Sequence, residues 1–142
     1  MVKVYYQKLI KAYPYELCSV LLDHHNLRDF FNATFKVVKK ADIGEPQGGK
    51  GCVREVTILG IRFCEKIIKA DEKGIHYCVI DDFPVKAHAG HIRFHREGNH
   101  TLVAYSISCL APWFIPNRLL QRVLQNDVEQ CLHKLGERFD PR

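Results

Sequence analysis

A chain of 142 residues, 46% apolar and 26% charged, has the composition of a globular domain and the length to bury a core of its own. No segment approaches the roughly 18 to 20 consecutive apolar residues that cross a bilayer as a helix, and the opening MVKVYYQKLIKAYPYE lacks the pattern of a secretory leader. The formal charge of +5 is spread over scattered Lys and Arg rather than gathered into a run, which gives nucleic acid no obvious footing.

The expectation is therefore one cytoplasmic domain spanning residues 1–142. Cys18, Cys52, Cys64, Cys78, Cys109 and Cys131 form no C-x-x-C pair and read as free, mostly buried thiols.

Residues 2–10 (VKVYYQKLI) are β-rich and apolar, after which Pro14 opens a short helix through Leu22. A second short helix is expected from Asn26 to Phe31. From Thr34 to Ser108 the apolar period moves towards two, with turn signals at Gly44 to Gly49, Leu59-Gly60, Asp71 to Gly74, Asp82 to Pro84 and Gly98-Asn99. Six antiparallel strands follow from that pattern. Pro116 then marks a first helical turn, and Leu120, Leu124, Val128, Cys131, Leu135 and Phe139 recur at helical steps over about six turns. The sum is an α+β chain whose seven-stranded sheet buries most simply by curling around the last helix.

Opposed residues of antiparallel strands share a face, so each hairpin predicts its own lining. A turn at Leu59-Gly60 sets Ile58 opposite Ile61, Val56 opposite Phe63 and Arg54 opposite Glu65. A turn at Gly98-Asn99 sets Phe94 opposite Val103, Ile92 opposite Tyr105 and Gly90 opposite Ile107. Ile75, Tyr77 and Val79 join the same face if the Asp71 to Gly74 turn holds a bulge. The concave wall is then apolar, with Arg54, Glu65, Tyr77 and Tyr105 as its sparse polar groups. Such a mixture suits a small-molecule pocket. An Arg and Glu buried together either satisfy only each other or leave one member to orient a ligand. Tyr77 and Tyr105 read first as core rings whose hydroxyls find a partner.

Other motifs carry less chemistry. Gly44 to Lys50 matches seven positions of a phosphate-binding loop, but Gly51 stands where the Ser or Thr would be and a strand follows where a helix is required. A glycine-rich hairpin connection explains the same residues. On a strand, His88 points to one face and His91 and His95 to the other, so one metal ion could not gather all three, and His24-His25 make no better site. No catalytic set, metal or cofactor is expected. Ala111-Pro112-Trp113-Phe114-Ile115-Pro116 sets three large apolar residues between two prolines. Burial under the helix start is the first reading. In the alternative, Trp113 and Phe114, with Phe83, rim the cavity and touch a partner or membrane, helped by Arg118 and Arg122.

Several local patterns together resemble the SRPBCC, or START-like, superfamily, which includes polyketide cyclase/dehydrase-like proteins. They are the proline after the first strand with Asp23, Leu27 and Phe30, then Gly51-x-x-Arg54, Glu65, Thr101-x-Val103-x-Tyr105, and the proline before the long helix. The family usually carries Trp or another aromatic where Tyr105 stands. The resemblance covers roughly residues 3–139 and implies a helix-grip fold with a cavity for lipids, sterols, polyketides or quinone-like molecules. The expected polar lining is Arg54, Glu65, Tyr77 and Tyr105. The expected apolar lining is Val56, Phe63, Ile92, Val103 and Ile107 from the sheet, with Leu124 and Val128 from the helix. The leading functional reading is a noncatalytic binder or carrier of a hydrophobic molecule. An enzyme of cyclase or dehydratase type, with Arg54 polarising a carbonyl and Glu65 or a tyrosine moving protons, is the second. A protein-interaction module is the third.

Overall fold

Alternating apolar and polar side chains make seven strands, and the computed structural model, in which residues 1–140 are described, joins them into one antiparallel sheet. The strands are β1 (Val2–Ile10), β2 (Thr34–Lys39), β3 (Val53–Ile58), β4 (Ile61–Asp71), β5 (Gly74–Val79), β6 (Lys86–Glu97) and β7 (His100–Leu110). They lie in the order β1-β7-β6-β5-β4-β3-β2, so β2 to β7 form a meander and β1 closes on the last strand. Both anticipated hairpin registers are present. Arg54 faces Glu65 and Val56 faces Phe63, while Ile92 faces Tyr105 and Phe94 faces Val103.

Two short helical segments link β1 to β2. The helix α1 (Pro14–Leu22) starts with Pro14 in its first turn, and the Glu16 carboxylate accepts the Tyr13 N–H at 3.0 Å. Leu17, Leu21 and Leu22 are its buried residues, and the helix packs against β4, β5 and β6. The second segment is a 3-10 turn over His24–Asp29, two residues earlier than expected. Asp23 ends α1 and starts this turn at once, its carbonyl accepting the Asn26 N–H at 3.1 Å and its carboxylate the Asn26 amide at 2.7 Å.

The long helix α2 (Asn117–Phe139) runs for 23 residues, about 35 Å. Pro116 is the residue before it rather than its first turn, and the Pro116 carbonyl accepts the Leu119 and Leu120 N–H groups. Val128, Cys131, Leu132 and Leu135 form its buried stripe. The helix rests along β1 and, more lightly, β7. Three contacts fix it there. The Gln125 amide donates to the Tyr5 carbonyl at 2.8 Å and accepts the Tyr5 N–H at 3.3 Å. The Tyr6 hydroxyl meets His133 Nε2 at 3.3 Å. The Lys8 stem passes so close to Gly136 that a Cβ there would sit 2.8 Å from Lys8 Cε.

The bulge that carries Tyr77 inward is not in the Asp71 to Gly74 turn, which is a tight two-residue connection. It lies within β4, where the pairing steps from Ile67 to Lys69 and leaves Ile68 as the extra residue. A second irregularity separates Lys86 from Ala89 in β6, where Ala87 has φ +49°.

Candidate functional site

The concave face of the sheet can be read as rows crossing the strands. One row runs Val37, Arg54, Glu65, Val79 and, beyond the end of the β5–β6 ladder, His88. The next runs Ile67, Tyr77, Gly90, Ile107 and Val4. Polar side chains concentrate in the first of these rows and at its border with the second.

At the centre is Arg54. Its Nε and Nη2 both bond Glu65 Oε1, at 2.9 and 2.8 Å, and its Nη1 lies 3.0 Å from His24 Nδ1. Arginine has no acceptor, so Nη1 donates and Nδ1 accepts. The other ring nitrogen, Nε2, therefore carries the proton and donates to the Gly48 carbonyl at 2.7 Å. Burial and the adjacent Arg54 guanidinium lower the His24 pKa to about 4, which agrees with a neutral ring. Gly48 has φ +77°, and a Cβ there would meet the Leu22 carbonyl oxygen at 2.2 Å. Glycine is what lets the β2–β3 connection reach His24. That connection is the stretch that imitates a phosphate-binding loop, and no helix follows it.

Aromatic rings complete the seat of Arg54. Its guanidinium carbon lies 5.2 Å from the Phe35 ring centre and 4.9 Å from that of Tyr77. The Tyr77 ring lies flat over Gly90, where a Cβ would come within 2.4 Å of its Cζ, and its hydroxyl bonds that of Tyr105. Desolvation pushes both phenol pKa values up, so the two tyrosines stay protonated. Desolvation disfavours the Arg54 cation, but the charge and hydrogen bond of the Glu65 carboxylate act against it, and the guanidinium pKa is held up. The anticipated pair thus belongs to a larger string, Gly48–His24–Arg54–Glu65, with both tyrosine hydroxyls paired to each other.

The remaining polar atoms of the row point elsewhere. Both guanidinium bonds to Glu65 converge on Oε1, leaving Oε2 for another donor. His88 Nδ1 accepts the Val79 N–H at 3.2 Å, so Nε2 carries the proton. His88 is on the inner face, its ring 5.5 Å from that of Tyr77, whereas His91 is on the outer face, 3.9 Å from the ring of His76. Burial lowers the His88 pKa and favours the neutral form.

All eleven expected lining residues belong to the concave face of the sheet or the inner face of α2, but they divide into two groups. Ile92, Val103, Ile107 and Val128 are closed into the core with Val56, Tyr77 and Tyr105. Phe63 and Leu124 are half-buried, as are Ile58, Val79 and Leu120, and Ile61 is exposed. Because α2 rests on the β1–β7 side, the open part of the face lies over β3 to β5. Trp113 is 95% exposed and Phe114 57% exposed, so the reading that buried them under the helix start is corrected. Their rings pack on each other at 5.7 Å instead. Phe83, Leu119 and Val123 are also exposed.

Two other grooves, of about 550 and 520 Å³, lie outside this face, one beside Tyr5, His91 and Gln125 and one between Tyr13, Glu72 and Arg96. Among the described residues, no helix is long and apolar enough to cross a membrane.

Sequence reasoning missed His24 as the third member of the string and His88 as an inner-face residue beside Glu65. For His88 the strand alternation was available, since it shares the phase of Gly90 and Ile92. For His24 no local signal existed, because its partners are 24 and 30 residues away.

No protein-family model matches the sequence, and no curated protein does. Solved structures do. A START superfamily protein from Mycobacterium smegmatis superposes with a TM-score of 0.79 at 13% identity, covering 97% of each chain. XoxI from Bacillus cereus gives 0.72 at 17%, covering 98% of this chain and 96% of that one. The Aha1 dimer from Colwellia psychrerythraea gives 0.72 at 15%, covering 99% and 98%. The fold is START-like, a helix-grip arrangement of seven strands and a C-terminal helix.

Proposed function

We propose that the protein binds or carries a hydrophobic small molecule in the cytoplasm, holding it between α2 and the concave side of β3 to β5. The observation that carries this reading is the uneven cover of that face. Ile58, Ile61, Phe63 and Val79 from the sheet and Leu120 and Leu124 from the helix keep partial exposure on an otherwise apolar wall. A ligand that covers such surface gains about 25 cal/mol for each Å² taken from water. Free thiols at all six cysteines suit a reducing compartment. The guanidinium of Arg54 is engaged by Glu65 and His24, which favours a binder over an enzyme that would need Arg54 to polarise a carbonyl.

The test is displacement of a neutral fluorescent probe, N-phenyl-1-naphthylamine. Val79→Trp, which fills the open region, should weaken probe binding at least tenfold while leaving the far-ultraviolet circular dichroism unchanged. Unaltered binding in that variant would place the ligand elsewhere.

A second reading concerns delivery. Trp113 and Phe114 form an exposed packed pair, Phe83 is exposed as well, and Arg118 and Arg122 follow on the first turns of α2. Transient contact with an anionic membrane fits that combination. Co-sedimentation with vesicles containing phosphatidylserine should fall sharply in Trp113→Ser/Phe114→Ser, and equal sedimentation of wild type and variant would count against it.

A further inference from the structure

Two polar atoms on the inner face have no hydrogen-bond partner among the described residues: the acceptor Glu65 Oε2 and the donor His88 Nε2–H. Among the described residues, no side-chain nitrogen or oxygen shut away from solvent lacks a hydrogen bond. Both atoms therefore open onto accessible space, although Glu65 is only 8% exposed.

Their placement is set by the strands. Glu65 pairs with Val79, and the Val79 N–H is held by His88, so the two side chains flank Val79 on the same face. Strands lie about 4.8 Å apart, which puts the two Cα atoms on the order of 10 Å from each other across β5. The Glu65 carboxylate is near enough to act electrostatically on the His88 ring. A single hydroxyl group can donate to one atom and accept from the other.

The surroundings disfavour an anion. Arg54, the cation of this row, already serves Glu65 and His24 between two aromatic rings. On α2, Asp127 stands one turn before the buried Cys131 on the same helix face and acts on it electrostatically. Asp127 is half-buried, and desolvation raises its carboxyl pKa. A ligand carboxylate or phosphate would meet Glu65 and Asp127, and among the described residues Arg54, the cation of this row, is already engaged.

We infer that Glu65 Oε2 and His88 Nε2–H together read a hydroxyl group, so that the ligand is an uncharged, hydroxylated hydrophobe rather than a fatty acid or phospholipid. This rests on the binding reading proposed above and narrows its ligand class. His88 is the residue that sets the selectivity, because it supplies the donor and its tautomer is fixed by the Val79 N–H.

The experiment compares biphenyl, 4-phenylphenol and biphenyl-4-carboxylate as displacers of bound N-phenyl-1-naphthylamine at pH 7.5. The phenol should displace the probe at about tenfold lower concentration than biphenyl, with the carboxylate weakest. In His88→Leu the ratio between the phenol and biphenyl displacing concentrations should fall to about one, whatever the variant's own affinity for the probe. In the wild type, a long-range 1H–15N spectrum should show the His88 Nε2 resonance moving with the phenol and not with biphenyl, a readout that does not depend on how the variant folds. Equal displacement by phenol and carboxylate, or a stationary Nε2 resonance, would overturn the hydroxyl reading and leave a general apolar binder. Failure of the probe to bind at all would overturn the binding reading and this one with it.

Discussion

Replacing His24 with Gln isolates the titration of one buried ring. In the folded chain its pKa is lowered to about 4, first by burial and then by the Arg54 guanidinium, from an ordinary value of 6.5. The unfolded chain therefore takes up the proton first as pH falls. The stability that depends on the neutral ring is intact above pH 6.5 and is lost as the pH drops from there towards 4. At 1.36 kcal/mol for each unit, the roughly 2.5-unit interval is worth about 3 kcal/mol. His88, also lowered, adds to the loss with the same sign. Glutamine offers a carbonyl oxygen to Arg54 Nη1 and an amide N–H to the Gly48 carbonyl, yet it does not titrate. With a urea slope of about 2 kcal/mol/M, the wild-type midpoint should fall by about 1.5 M more than that of His24→Gln between pH 7 and pH 4. Far-ultraviolet circular dichroism is the appropriate signal, because Trp113 is already exposed in the folded state. Other carboxylates and histidines titrate in both proteins and cancel in the difference. Superimposed acid limbs would refute the assignment of His24 as the neutral bridge between Arg54 and Gly48.

Arg54→Met leaves the Glu65 carboxylate buried without its cation and should cost about 3–5 kcal/mol, whereas Arg54→Met/Glu65→Leu should recover most of that in a double-mutant cycle by urea unfolding. A single-variant cost below about 1 kcal/mol would mean that water already serves the carboxylate. Gly90→Ala pushes a methyl group into the Tyr77 ring and should separate the two tyrosine hydroxyls at a cost of about 1–3 kcal/mol, seen as lost stability and a changed near-ultraviolet tyrosine spectrum.

The meander was legible because its turns declare themselves. Leu59 and Gly60 both have positive φ, +50° and +80°, the geometry that a two-residue hairpin demands, and the register of β3 on β4 follows from that turn alone. Gly98 does the same for β6 on β7. From there, strand alternation identified Arg54 and Glu65 as opposed inward residues 11 positions apart. What periodicity cannot report is how far a face is covered. It treated Phe63 and Val103 alike, although one is half-buried and the other is closed into the core. It also marked Trp113 and Phe114 as large and apolar, which argued for burial, whereas the segment closes a turn from the Pro112 carbonyl to the Ile115 N–H and leaves both rings in solvent. The β4 bulge at Ile68 had no signature in composition, since a strand of alternating residues absorbs one extra member without a glycine or proline to announce it. His24 escaped because its role depends on chain segments that meet only after folding.

The amide of Gln125 treats β1 as a neighbouring strand would, giving one donor and one acceptor to the outer side of Tyr5. A sheet with two bare margins can be lengthened by a second molecule, strand by strand, into an aggregate. Here a helix side chain already occupies one margin. The opposite margin, β2, exposes Val37 and Val38 but sets Lys36, Lys39 and Lys40 around them, so two such margins would repel on approach. Both margins of the sheet are thereby guarded against edge-to-edge addition, while the apolar surface over β3 to β5 stays open.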